Sequence, residues 1–214
     1  MDLLRLISAP RTVASVAPAK DLLRRPRSLP FAAPIRQRNR MVITSIKPNI
    51  TREQAVAKFR GGFSQLRHGR LRIAAEFYVP YRFFQTTWDN GRRKTDTILA
   101  ADAVTGNFDL IEFEQLPGDL ERMSVDTQMI VEERVSEGEA YRLVRERMMR
   151  LVFMKGFFKL SRVNVEINLA ASLHLPYWVG VYERQGRARL EIINALQGRF
   201  EGAKLREIVA EWFQ

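Results

Sequence analysis

The sequence predicts an α+β protein built from two pseudo-repeated units, each a helix packed on an antiparallel β-meander, with a C-terminal helix added. Three observations carry this prediction. First, the blocks Pro80-Tyr81, Gly91-Arg92 and Ala103-Val104-Thr105-Gly106-Asn107-Phe108-Asp109 recur in the same order as Pro176-Tyr177, Gly186-Arg187 and Ala195-Leu196-Gln197-Gly198-Arg199-Phe200-Glu201. Repetition on this scale is the signature of a duplicated supersecondary unit. Second, each set is preceded by a capping-box pattern and an alanine: Thr51-Arg52-Glu53-Gln54-Ala55 and Ser136-Glu137-Gly138-Glu139-Ala140. Third, Leu205, Ile208, Val209, Trp212 and Phe213 fall on one side of a final helix at about 202–213.

Four segments follow from composition. Residues 1–40 read as a disordered basic arm rich in Pro and Arg, 41–117 as the first unit, 118–135 as a connector, and 136–214 as the second unit with its C-terminal helix. The arm holds prolines at 10, 18, 26, 30 and 34, a density that breaks helices and strands alike. It also holds eight Arg and one Lys against Asp2 and Asp21, a net of +7 out of the chain's +11. The remainder is nearly balanced, which argues against a folded nucleic-acid-binding face. The Arg-rich, acid-poor arm also has transit-peptide character, and Met41 stands as an alternative start directly before the first well-formed element.

Order is expected from about Asn49. Ala55, Phe59, Phe63 and Leu66 share a helical face, and Gly61-Gly62 weakens that helix near its end by about 1 kcal/mol per glycine. Strands are expected at 71–79, 81–88, 95–103 and 107–113, with turns at Asp89-Asn90-Gly91 and Thr105-Gly106. Pro117-Gly118-Asp119 marks a break, and the connector holds a short strand at 129–131. In the second unit Ala140, Leu143, Val144, Met148, Leu151 and Val152 form a buried helical stripe. Strands follow at 163–173, 177–183 and 188–195, with a hairpin at Gln185-Gly186.

A helix opening Ser/Thr-x-x-Glu/Gln-Ala, then strands and a hairpin ending in Asp-Ala-x-Thr-Gly, resembles the PepSY domain family. The matching residues are Thr51-Arg52-Glu53-Gln54-Ala55 and Asp102-Ala103-Val104-Thr105-Gly106; the second copy, Asn194-Ala195-Leu196-Gln197-Gly198, departs from the pattern by lacking both Asp and Thr. The resemblance implies a helix packed on an antiparallel sheet. It also implies a role in restraining proteases or binding partners, in proteins that lie outside the cytoplasm.

Composition excludes several chemistries. With no cysteine there is no disulfide, no thiol nucleophile and no Cys-ligated zinc. No apolar run reaches the length of a membrane span, and residues 1–8 lack the uninterrupted apolar core of a signal peptide. A cytoplasmic location is expected, with organelle import of a eukaryotic chain as the alternative. His68 and His174 have no carboxylates at metal-ligand spacing. Asp102 reads as a turn residue, Glu137 and Glu139 as helix N-terminal acids, and Glu112 and Glu114 as a solvated strand face. Neither Gly-x-x-x-x-Gly-Lys-Ser/Thr nor Gly-x-Gly-x-x-Gly occurs, nor does a Gly-x-Ser-x-Gly elbow. No catalytic residue, metal or cofactor is assigned, and the chain is read as a non-enzyme.

The remaining candidates are binding residues. Tyr81, Arg82, Phe84 and Trp88, with Tyr177, Trp178 and Tyr182, form an aromatic sheet surface expected to contact a protein partner or a second copy. The second reading is nucleic-acid or anionic-surface binding through Arg24, Arg25, Arg27, Arg36, Arg38 and Arg40 of the arm. The third, ranked last, is an enzyme whose site forms at the seam between the units. Arg142, Arg145, Arg147 and Arg150 read as a solvated helix face.

Overall fold

A computed structural model of the chain describes residues 29–30, 39–61, 67–89, 94–106, 115–154 and 164–212. It is an α+β structure with one mixed sheet. The elements in order are β1 (Leu29–Pro30), β2 (Met41–Ile46), α1 (Arg52–Arg60), β3 (Arg70–Asp89), β4 (Lys94–Asp102), a 3-10 turn (Asp119–Glu121), β5 (Arg122–Thr127), α2 (Glu137–Met154), β6 (Asn164–Arg184), β7 (Arg187–Asn194) and α3 (Ala203–Trp212).

Two long strands form the spine. β3 and β6 pair antiparallel from Arg70↔Glu183 to Asp89↔Asn164. At the middle of this ladder Val79 faces Leu175, with Phe77↔Tyr177 on one side and Tyr81↔Leu173 on the other. β4 pairs with Tyr81 to Asp89 of β3, and β7 pairs with Tyr177 to Arg184 of β6. Each long strand thus carries a hairpin partner along one half of its outer edge. Beyond the end of β7, β2 runs parallel to β6 at Ser45↔His174, and β5 lies outside β2 as an edge strand. Beyond the end of β4, Tyr78 makes a parallel bridge to Ile130, within the short strand expected at 129–131.

The expected strand pairs 71–79/81–88 and 163–173/177–183 are corrected: each pair is one continuous strand running through a proline. Backbone N–H and C=O of one strand residue point to the same side. The Pro80 carbonyl accepts from Ala103 N–H at 2.8 Å and the Pro176 carbonyl from Ala195 N–H at 3.1 Å. Both prolines therefore aim their missing N–H outward, where the hairpin partner ends, and the β3–β6 ladder loses no bond. Two further corrections concern order before Asn49 and in the connector, since β2 and β5 are both strands. Within the basic arm, Leu29 and Pro30 pair with Ala188 and Arg187. The expected strand at 107–113 and the turn at Asn90-Gly91 lie outside the described residues.

Helix starts and turns follow local chemistry. Thr51 Oγ1 accepts from Gln54 N–H and Gln54 Oε1 from Thr51 N–H, a complete capping box. Ser136 Oγ accepts from Glu139 N–H. Gln185 and Gly186 both have positive φ, 53° and 72°, as a two-residue hairpin of this hand requires.

The sheet is covered on both faces. On one, Phe77, Val79, Tyr81, Leu173, Leu175 and Tyr177 pack with Val209 of α3, flanked by Leu205 and Ile208. On the other, the helices cross over. Ala55 and Phe59 of α1 pack on Trp178, Tyr182 and Ile193 of the β6–β7 hairpin. Ala140, Val144 and Met148 of α2 pack on Phe84, Trp88 and Leu99 of the β3–β4 hairpin. Each fully buried side chain of this size contributes roughly 1.5–3 kcal/mol.

Candidate functional site

The aromatic residues and Arg82 singled out from sequence lie along the two long strands β3 and β6, and they are buried. Tyr177 and Tyr182 are fully inaccessible, and Tyr81, Arg82, Phe84, Trp88 and Trp178 expose 8% or less. The expectation of an exposed aromatic face is corrected on this ground. Apolar residues on both sides of a strand mark a sheet covered twice, and here both covers come from the same chain.

Two of these residues do parallel work. Trp178 Nε1 donates to the Ile50 carbonyl at 2.9 Å, just before the α1 cap. Arg82 Nη1 donates to the Val135 carbonyl at 2.6 Å, just before the α2 cap, and its Nη2 reaches Glu133 at 2.6 Å. Arg82 is thus a helix anchor and not part of a cationic surface.

The polar seam lies beneath α3. Tyr81 and Tyr177 hydroxyls meet at 2.8 Å, and Asn194 Nδ2 lies 3.5 Å from the Tyr177 hydroxyl. On either side a turn is held by the same chemistry. Asp102 Oδ1 accepts from Val104 and Thr105 N–H, and its Oδ2 from the Thr105 hydroxyl. Asn194 Oδ1 accepts from Leu196 and Gln197 N–H. Gly106 N–H donates to the Asp102 carbonyl and Gly198 N–H to the Asn194 carbonyl. The turn role expected of Asp102 is the one it has. A hollow of about 110 Å³ opens here, lined by Tyr81, Asp102, Thr105, Glu201 and Lys204 among others. Metabolite pockets run to roughly 300–1,000 Å³, so this space suits water or a small ion.

The two histidines sit apart. His68 Nε2 lies 2.9 Å from Glu191 Oε1, inside the fold, and Glu191 Oε2 also accepts from the Tyr182 hydroxyl. Burial holds the His68 ring below its ordinary value, with Glu191 opposing and Arg67, Arg189 and Arg206 adding to the effect. The sequence offered no carboxylate near His68 because Glu191 is 123 residues away. His174 Nδ1 faces the Thr44 carbonyl at 3.3 Å, a tie between β6 and β2. Burial lowers its affinity for a proton too. Burial pushes the Glu76 carboxyl up and the neighbouring Tyr78 hydroxyl up further. Among the described residues no group of three or more His, Asp or Glu is arranged to hold a metal ion.

Exposed apolar side chains occur on β3 and β6 (Ile73, Leu169), on the 3-10 turn (Leu120) and at one margin of the sheet. Met41 exposes 58% and Val42 73% of its surface, and β5 has no strand beyond it among the described residues. On α2, Arg142, Arg145 and Arg150 are exposed. Of the arm residues, Arg40 is described: it is exposed and pairs with Asp126 at 3.4 Å. Arg24, Arg25, Arg27, Arg36 and Arg38 lie outside the described residues. No helix among the described residues is long and apolar enough to cross a membrane. Comparison with protein families, curated proteins and solved structures finds no match to this chain.

Proposed function

We propose that this chain is a non-enzymatic binding or scaffold protein that contacts a protein partner or a second copy of itself. The observation that carries the reading is a sheet margin with no further strand among the described residues, β5, with the exposed Met41 and Val42 of β2 beside it. An unpaired strand edge presents a row of backbone donors and acceptors that another chain can complete. The groups able to do chemistry point the same way. Asp102, Asn194, Arg82 and Glu191 are each engaged in bonds that hold turns, helix starts or strands together. The contact surface we assign is therefore the sheet margin and not the buried aromatic residues.

We also propose that the fold is a doubled module. Support comes from the matched bonds: Trp178 to Ile50 beside Arg82 to Val135, the Asp102 and Asn194 turns, and Ser45↔His174 beside Ile130↔Tyr78. On this reading the PepSY resemblance is a likeness of one unit, and a protease-restraining role belongs among the partner contacts to be tested. A second reading, binding of polyanions in the cytoplasm or another compartment, is favoured by the exposed Arg142, Arg145 and Arg150 of α2. Cross-linking of the full-length chain in its native cells, followed by identification of the linked chains, tests the first reading. A saturable protein contact weakened by Val125→Lys is expected. Retention by polyanions alone, with a steep loss on adding salt, would overturn it in favour of the second.

A further inference from the structure

The occupant of the open edge can be named from the edge itself. β5 reads Arg122-Met123-Ser124-Val125-Asp126-Thr127. It contains neither proline nor lysine, the usual devices that blunt an exposed strand. The strand pairs with β2 along its whole length without a register shift, from Arg122↔Ile46 to Thr127↔Met41, and no strand lies beyond it among the described residues. None of its six residues is fully buried, and Ser124 and Asp126 are exposed.

We propose that β5 pairs antiparallel with β5 of a second copy of this chain, centred on Ser124. This rests on the binding reading above and names its partner. In a two-fold antiparallel pair a residue at the centre faces itself, and residues equally spaced on either side face each other. Centring on Ser124 sets Arg122 against Asp126 of the other copy, twice, and Met123 against Val125, twice. Cross-strand pairs of opposite charge and of apolar side chains are the units of sheet stability. Shifting the centre by one position, to Val125, sets Met123 against Thr127 and leaves Arg122 without an acid opposite. The existing partners of both charges are exposed and loosely held. Arg122 is oriented by its Nε bond to the Pro117 carbonyl at 2.8 Å and has Asp119 at 3.8 Å on its solvent side, and Asp126 pairs with Arg40 at 3.4 Å, exposed on both sides. The result is one sheet running through both copies, with Arg122, Ser124 and Asp126 on one face and Met123 and Val125 on the other.

The natural absence of cysteine makes the test clean. Sedimentation of the full-length chain should show a dimer in reversible equilibrium with monomer. Ser124→Cys should form an intermolecular disulfide under mild oxidation, because directly opposed strand residues lie within disulfide reach. An exposed control, Glu137→Cys, should not. Arg122→Asp and Asp126→Arg should each weaken self-association by about tenfold or more, while an equimolar mixture of the two restores it. Circular dichroism verifies that each variant is folded. A chain that stays monomeric, with Ser124→Cys no faster to cross-link than the control, overturns the proposal but leaves binding of a different protein intact. A dimer that ignores both charge reversals and Ser124→Cys places self-contact elsewhere and likewise rejects β5. Loss of every protein contact, with the fold preserved, would instead remove the binding reading itself.

Discussion

Tyr81 and Tyr177 meet hydroxyl to hydroxyl at 2.8 Å in the middle of the sheet, one from each of the two long strands. Each stands two residues along its own strand from the central pair, Val79↔Leu175. Each also faces the residue that begins the turn after the neighbouring strand, Asp102 for Tyr81 and Asn194 for Tyr177. Tyr81→Phe and Tyr177→Phe are each expected to cost about 1 kcal/mol. The double variant should cost less than the sum, because the second substitution removes a hydroxyl already deprived of this partner. Urea titration of the four proteins measures the coupling, and strict additivity would show that the two hydroxyls act independently.

Phe59 and Gly180 are fitted to one another. A methyl group built at Gly180 would come within 2.8 Å of the Phe59 ring. Gly180→Ala is expected to destabilise by about 1–3 kcal/mol through overpacking, and Phe59→Leu in the same chain should recover part of the loss. Thermal melts decide it; an unchanged midpoint for Gly180→Ala would show that α1 shifts freely on the sheet.

The two matched turns predict an order of substitutions at Asp102. Asp102→Asn keeps an acceptor for the backbone of Val104 and Thr105, as Asn194 does in the other turn, and should cost under about 1 kcal/mol. Asp102→Ala leaves those donors without it and should cost about 1–3 kcal/mol. Equal effects of the two would mean that the negative charge, and not turn geometry, is what this position supplies.

His68 and His174 are both held below the ordinary histidine value of 6.5, first of all by burial. As pH falls through 6.5 the unfolded chain takes up protons on these rings before the folded chain does, so stability declines on the acid side of that value. Around His68 stand Glu191, Arg67, Arg189 and Arg206; around His174, Glu133 and the Thr44 carbonyl. Glu76, whose carboxyl is raised by burial, acts in the opposite sense nearer the carboxylate range. Melting temperature should therefore fall between about pH 7 and about pH 5, and fall less steeply in His68→Gln. A flat profile for the parent chain would contradict the burial of both rings.

Local chemistry was legible in the sequence; long-range assignment was not. The Thr51 and Ser136 caps, the Gln185-Gly186 hairpin and the Asp102 turn depend on residues within a few positions and were read correctly. Pro80 and Pro176 misled because proline is read as a strand breaker. Its tolerance here depends on which edge of the strand lacks a neighbour, a fact set by residues Ala103 and Ala195. Arg82 resembled a surface cation for a similar reason, since Val135 and Glu133, which bury and bind it, lie more than fifty positions downstream. The aromatic residues of β3 and β6 read as one sheet cluster, but alternation along a strand does not reveal what covers it.

The crossing of the helices sets an order of events during synthesis. The backbone before α1 bonds to the Ala195 carbonyl through Asn49 and Ile50, and Phe59 rests on Tyr182. Helix α1 is therefore made well before Tyr182, Ile193 and Ala195, the residues that cover its apolar side. Nascent chains stalled before β7 should yield to protease at α1, whereas the released protein should resist. A cell making this protein has to shelter that helix until β6 and β7 have been made.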